Sequence, residues 1–140
     1  MVFILESLAL GNIEDAKNPP QEITAFLNAA DDIGLYKPAK KYYKIPLRDG
    51  VPIPEEKMSE AINWIAKNIT SDKILVFCRY GAGRSASVVI GYLCSIGFDY
   101  PEAVKFILSK KPDIKPEPLL AETIRMVLKR KEVLPKVAIR

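Results

Sequence analysis

The chain has 140 residues, 49% of them apolar and 27% charged, which fits one compact globular domain over residues 1–140 and excludes disordered and fibrous classes. Its net charge of +4, from 21 basic and 17 acidic side chains, is too small and too scattered to argue for nucleic acid. Histidine is absent, which excludes Ser-His-Asp and Cys-His catalysis and every zinc site that needs imidazole, and two cysteines are too few for a disulfide scaffold.

Short strands are expected first, over Val2–Leu5 and Leu8–Leu10, the second closed by Gly11-Asn12. Pro19-Pro20 breaks the chain before an apolar run from Ile23 to Leu27 that ends at Asn28. Tyr43, Ile45 and Leu47 alternate with Lys44 and Pro46, as a half-buried strand would. The period then changes. Met58, Ile62, Ile65 and Ile69 line one face of an amphipathic helix, with Glu55, Glu56 and Glu60 near its positive end. Ile74–Phe77 is an unbroken apolar run, consistent with a central strand covered on both faces. Ser85–Ile96 is apolar nearly all round and reads as a buried helix stopped by Gly97. Pro101 opens another helix that carries Ala103, Val104, Ile107 and Leu108 inward. Pro118 opens the last, with Leu120, Ile124, Val127 and Leu128 inward and Pro135 beyond its end. The basic residues Arg125, Lys129, Arg130, Lys131, Lys136 and Arg140 read as a solvated helix face and tail. The expected fold is an α/β domain with a short central, mostly parallel sheet flanked by helices and a helical C-terminal half.

Between the central strand and the buried helix lies Cys78-Arg79-Tyr80-Gly81-Ala82-Gly83-Arg84, followed by Ser85. Small residues in such a loop let successive backbone N–H groups converge into a nest for an anion. The helix N-terminus behind it adds unpaired donors and the positive end of its dipole. Arg84 offers a planar fork able to hold two phosphate oxygens, and the same positive surroundings favour a thiolate at Cys78. The bland reading treats the loop as an ordinary tight connection and Cys78 as a small buried hydrophobe, but it leaves Arg79 and Arg84 at the loop's mouth unexplained.

Cys78 to Arg84 fits the cysteine-x5-arginine pattern of the protein tyrosine phosphatase superfamily, with Ser85 as the hydroxyl residue that follows the arginine. The chain resembles the small dual-specificity phosphatases over most of its length. The matching segments are Leu10-Gly11-Asn12 with Asp15-Ala16, Phe26-Leu27-Asn28, Ile45-Pro46-Leu47-Arg48-Asp49, Gly83–Ala86 through Gly91–Leu93, Ala103-Val104 and Lys111-Pro112. The resemblance implies a dual-specificity phosphatase-like fold and hydrolysis of phosphotyrosine, and of phosphoserine or phosphothreonine, in proteins. Cys78 would attack phosphorus to form a phosphocysteine intermediate. Arg84 and the amides of Arg79, Tyr80, Gly81, Ala82 and Gly83 would hold the phosphate. Asp49 would be the general acid, and Ser85 would donate to the leaving sulfur. No metal or other cofactor is implied. Asp31 and Asp32 are rival acids, and Asp49-Gly50 is also an ordinary turn dipeptide. Phe77 stands where the family usually has histidine, and Glu117 where many relatives have an asparagine that braces the loop.

Phe77-Cys78-Arg79 with the later Arg84-Ser85 also resembles the active loop of rhodanese-type sulfurtransferases, although theirs is usually one residue shorter. A sulfurtransferase, an arsenate reductase on that scaffold, or a non-catalytic phosphate-binding module are therefore the competing readings. Ala82 stands where phosphoinositide phosphatases of the superfamily often carry lysine, which counts against lipid head groups. Tyr36, Lys37, Lys40, Lys41 and Arg48 are candidates for the rim. Cys94 lies too far along its helix to bridge Cys78 and is assigned to core packing. No apolar run approaches the ~20 residues that span a bilayer, and Met1–Glu6 lack the marks of a secretion signal. A cytoplasmic monomer acting on phosphorylated proteins, with no nucleic-acid or membrane partner, is expected.

Overall fold

Ile74–Cys78 is buried at every residue, because it forms the middle strand of a five-stranded sheet whose two faces are both covered. The computed structural model describes residues 1–36, 38 and 40–130. Within them the order is β1 (Val2–Leu5), β2 (Leu8–Asn12), α1 (Ile13–Lys17), β3 (Ala25–Asn28), β4 (Lys41–Lys44), α2 (Glu55–Asn68), β5 (Ile74–Cys78), α3 (Arg84–Ser95), α4 (Tyr100–Lys110) and α5 (Leu120–Arg130). The sheet runs β1-β2-β5-β3-β4, with β1 antiparallel to β2 and every other pairing parallel. This is the expected short, mostly parallel sheet with a helical C-terminal half.

Register decides where the loops emerge. Asn12 pairs with Cys78, Asn28 with Phe77, and Lys44 with Asn28, so the parallel strands end together. Ligands of open α/β sheets bind beyond such carboxyl ends. Alternation along β5 sends Leu75 and Phe77 into a small cluster with Ala9, Ala16, Ile23 and Phe26. Ile74 and Val76 face the larger core, which includes residues of α2, α3, α4 and α5. Helix α3 is buried from Arg84 to Cys94, as its all-round apolarity requires.

Several boundaries differ from the sequence expectation. The strand β2 continues through Gly11-Asn12, and Asn12 then caps the unforeseen α1 in a reciprocal box with Asp15. The run from Ile23 enters the sheet only at Ala25. The alternating segment at Tyr43–Leu47 leaves the ladder after Lys44, since Pro46 has no N–H to contribute. Ile45 and Leu47 are nevertheless buried, and the Leu47 carbonyl accepts from the Asp31 N–H at 3.0 Å. Leu108 is 39% exposed and not inward, because α4 buries only a narrow stripe around Ala103 and Ile107. The last helix starts at Leu120, two residues after Pro118. Pro135, Lys37, Lys131, Lys136 and Arg140 lie outside the described residues.

Candidate active site

Cys78 ends β5 and Arg84 begins α3, so the loop between them is anchored by a fully buried strand and the most buried helix. Cys78 is only 2% exposed. Its Sγ lies 3.1 Å from Ser85 Oγ, in a bond that either can donate, and accepts the Ser85 N–H at 3.4 Å, so the first turn of α3 meets the sulfur twice. Cys94, by contrast, is a free buried thiol whose pKa is pushed up to about 11 by burial, which fits packing rather than chemistry.

Two glycines make the loop possible. Gly81 sits at φ 75°, and a Cβ there would fall 2.7 Å from the Gly11 carbonyl oxygen on β2. A Cβ on Gly83 would fall 2.3 Å from Glu117 Oε2. Gly81→Ala is therefore expected to lose roughly 1–3 kcal/mol of stability, from left-handed strain plus a clash with immobile backbone. A urea midpoint equal to that of the unsubstituted chain would contradict this close packing.

Arg84 is 2% exposed, and its Nη1 donates to Asp32 Oδ1 at 2.8 Å, Leu47 O at 3.1 Å and Asp31 Oδ1 at 3.3 Å. Its buried Nε has no hydrogen-bond partner among the described residues. Leaving a buried guanidinium N–H unpaired is costly unless an anion arrives to accept from it. Asp32 bridges to the second loop arginine, with Arg79 Nε donating to Oδ2 at 3.0 Å and Arg79 Nη2 to the Asp32 carbonyl at 3.2 Å.

Asp31 and Asp32, rival acids in the sequence, are thus arginine partners here. The hydrogen bond from Arg84 holds the Asp32 carboxyl below its usual range, with Arg79 acting in the same sense, so it remains a carboxylate. Asparagine at position 28 holds their loop: buried Asn28 donates to Ile33 O at 2.9 Å and Tyr42 Oη at 3.0 Å, and accepts the Ala30 N–H. Asp49 is itself exposed, on the 45–54 segment, and its Oδ1 would stand 3.5 Å from a Cβ on Gly83. Sequence reasoning missed how much Glu117 belongs to this site. It is buried, accepts the Gly50 N–H at 2.8 Å, and donates its own N–H to Ser87 Oγ at 2.9 Å. Lys115 N–H meets the Ala82 carbonyl at 2.8 Å, so the strip before α5 braces the loop.

The rim is only partly as expected. Lys40 donates to the Ile23 carbonyl and Lys41 pairs with Asp72, both away from the loop. Tyr80 is 69% exposed at the loop's mouth, while Tyr36 and Arg48 are also exposed. Phe77 packs apolar side chains beneath the loop, and its carbonyl accepts the Ala29 N–H at 2.8 Å.

The catalytic-domain model of dual specificity phosphatases matches residues 8–129. The chain is 32% identical over 123 residues to MAP kinase phosphatase with leucine-rich repeats protein 3 of Dictyostelium discoideum, covering 82% of this chain and 14% of that protein. It is 28% identical over 125 residues to dual specificity protein phosphatase 15 of Mus musculus, covering 84% of this chain and 53% of that one. The chain thus spans about half or less of these relatives' length. The crystal structure of human DUSP28 superposes with a TM-score of 0.83 at 20% identity, covering 96% of this chain and all of that one, a likeness of fold.

Proposed function

The chain belongs to the dual-specificity phosphatase family, and from that premise we propose that it hydrolyses phosphate monoesters on proteins through a phosphocysteine intermediate at Cys78. The observation that carries this reading is the buried Arg84, tied through Nη1 to Asp31, Asp32 and Leu47 while its Nε is left for an anion. The sulfurtransferase, arsenate reductase and binding-module readings find no support in the family match. We take residues 1–140 as one catalytic domain, which the match over residues 8–129 supports.

In this reading the Cys78 thiolate attacks phosphorus in line with the departing oxygen. Arg84 and the loop amides stabilise the charge on the equatorial oxygens, an electrostatic task that a preformed nest performs without reorganising. Asp49 protonates the leaving oxygen and then accepts a proton from the hydrolytic water. Ser85 Oγ, 3.1 Å from the sulfur, donates to it as it departs. No cofactor enters any of these steps.

Exposed Tyr80 and the partly exposed Arg79 side chain on the loop support phosphotyrosine as well as phosphoserine and phosphothreonine substrates. Turnover of both phosphotyrosine and phosphothreonine peptides is expected, and complete failure on both would remove the protein-phosphatase reading. No helix among the described residues is long and apolar enough to cross a membrane. Two free cysteines support a cytoplasmic setting.

Asp49 and its rivals separate by pH profile. Asp49→Asn is expected to lower kcat on an aryl phosphate by roughly 10²-fold or more and to erase the basic limb of the profile. Asp32→Asn loosens Arg84, and is expected to reduce kcat/KM by no more than roughly 10²-fold while leaving that limb in place. The reverse pattern would assign the acid to Asp32.

A further inference from the structure

We propose that Glu117 is a positioning residue for Asp49, the two carboxyl groups sharing a single proton that serves as the acid for the leaving group. This rests on the phosphatase reading and deepens it.

Three contacts fix Glu117 between the acid segment and the phosphate loop. Its Oε1 accepts the N–H of Gly50, the residue next to Asp49, at 2.8 Å. Its Oε2 and the Asp49 Oδ1 both face Gly83, at 2.3 and 3.5 Å from where a Cβ would stand. Its N–H is held by Ser87 Oγ on α3. With 6% exposure, Glu117 has little access to water that could screen a second negative charge. Two carboxylates so disposed do not both ionise readily.

The charged groups facing Glu117 are Asp49 from the 45–54 segment and Arg84 from α3. Burial raises the Glu117 pKa most, and the Asp49 charge and hydrogen bond raise it further; the Gly50 N–H and Arg84 oppose them without reversing the direction.

The proton balance is simple. As the Sγ–P bond forms and the P–O bond breaks, the bonding electrons pass to the leaving oxygen, which takes the pair's proton from Asp49. The pair is then doubly negative beside Arg84 and is a stronger base. In the second step water bonds to phosphorus, its proton returns to the pair, and the S–P bond breaks with its electrons on sulfur. The singly protonated pair is restored.

The test compares the full chain with Glu117→Gln and Glu117→Asp, measuring kcat against pH on phenyl phosphate and on p-nitrophenyl phosphate. Removing the neighbouring charge is expected to shift the basic limb of Glu117→Gln down by about one pH unit. At a pH above that limb this is roughly a tenfold loss on phenyl phosphate, whose leaving group needs the proton, and a smaller loss on p-nitrophenyl phosphate. Glu117→Asp keeps the charge and is expected to hold its limb closer to that of the unsubstituted chain. An unmoved limb, or a loss equal at every pH and for both esters, would overturn the shared proton and leave Glu117 as a brace alone.

Melting supplies a readout that needs no turnover. A carboxyl whose pKa is raised by folding contributes stability below its unfolded value and loses it as pH rises through its folded one. Glu117→Gln should therefore gain in Tm relative to the unsubstituted chain as pH rises above the ordinary glutamate range. A difference that stays flat with pH overturns the pair even if no substrate is ever found. Should Glu117→Gln fail to fold, Asp49→Asn takes its place, and the same drift in melting with pH should shrink. Absence of Cys78-dependent turnover with the expected melting behaviour would instead overturn the phosphatase reading and spare the carboxyl pair.

Discussion

Cys78→Ser is expected to reduce phosphatase turnover by at least about 10⁴-fold while the chain still folds and still binds inorganic phosphate. A serine hydroxyl at this position stays protonated at neutral pH, so the donors that can stabilise a thiolate find no anion to act on. Those donors are the Ser85 hydroxyl at 3.1 Å and the Ser85 N–H at 3.4 Å from the sulfur. The loop amides and Arg84, the groups proposed to hold the phosphate, are all kept by the substitution. Initial rates on an aryl phosphate measure the first half of this prediction. A rise in Tm with added inorganic phosphate, equal in the variant and the unsubstituted chain, measures the second. Residual turnover within about tenfold of the original would mean that another group is the nucleophile.

Arg84→Lys is expected to cost roughly 10³-fold in kcat/KM despite conserving the charge. The guanidinium does two things at once here. Its Nη1 is fixed by Asp31, Asp32 and the Leu47 carbonyl, and its Nε has no partner among the described residues. A lysine ammonium is a single point and cannot keep the acid contacts while presenting two parallel N–H groups to a phosphate. Stability should fall much less than activity, because the Asp31 and Asp32 side chains are each 43% exposed and can turn to water once the fork is gone. Steady-state kinetics, with inorganic phosphate as competing ligand, checks the prediction. A variant within tenfold of the original, or one whose phosphate inhibition is unchanged, would show that the fork is not what grips the anion.

Local pattern explains why the centre of the site was legible early. A buried strand, a glycine-bearing loop and a buried helix are contiguous from Ile74 to Ser95, and each leaves its own periodicity in the sequence. The misread boundaries have local causes of another kind. Pro46 helps end the ladder after Lys44 although Ile45 and Leu47 stay buried, because burial and strand pairing are separate demands. Helix α1 spans only five residues, too few for a 3.6-residue period to be visible.

By itself the sequence determined the Cys78–Arg84 loop, its length, and the strand and helix that hold it, since all of these depend on neighbours along the chain. Tertiary structure alone decided what surrounds it. Parallel strands ending together bring Asp31 and Asp32 onto Arg84 across 53 and 52 residues, and turn two candidate acids into a clamp. The same convergence sets Glu117 on Gly50 across 67 residues, beside Asp49. No periodicity or turn chemistry encodes contacts at such separations. They arise from sheet register and from the packing of α3 under the loop, and these fix which side chains share a low-dielectric site with the sulfur.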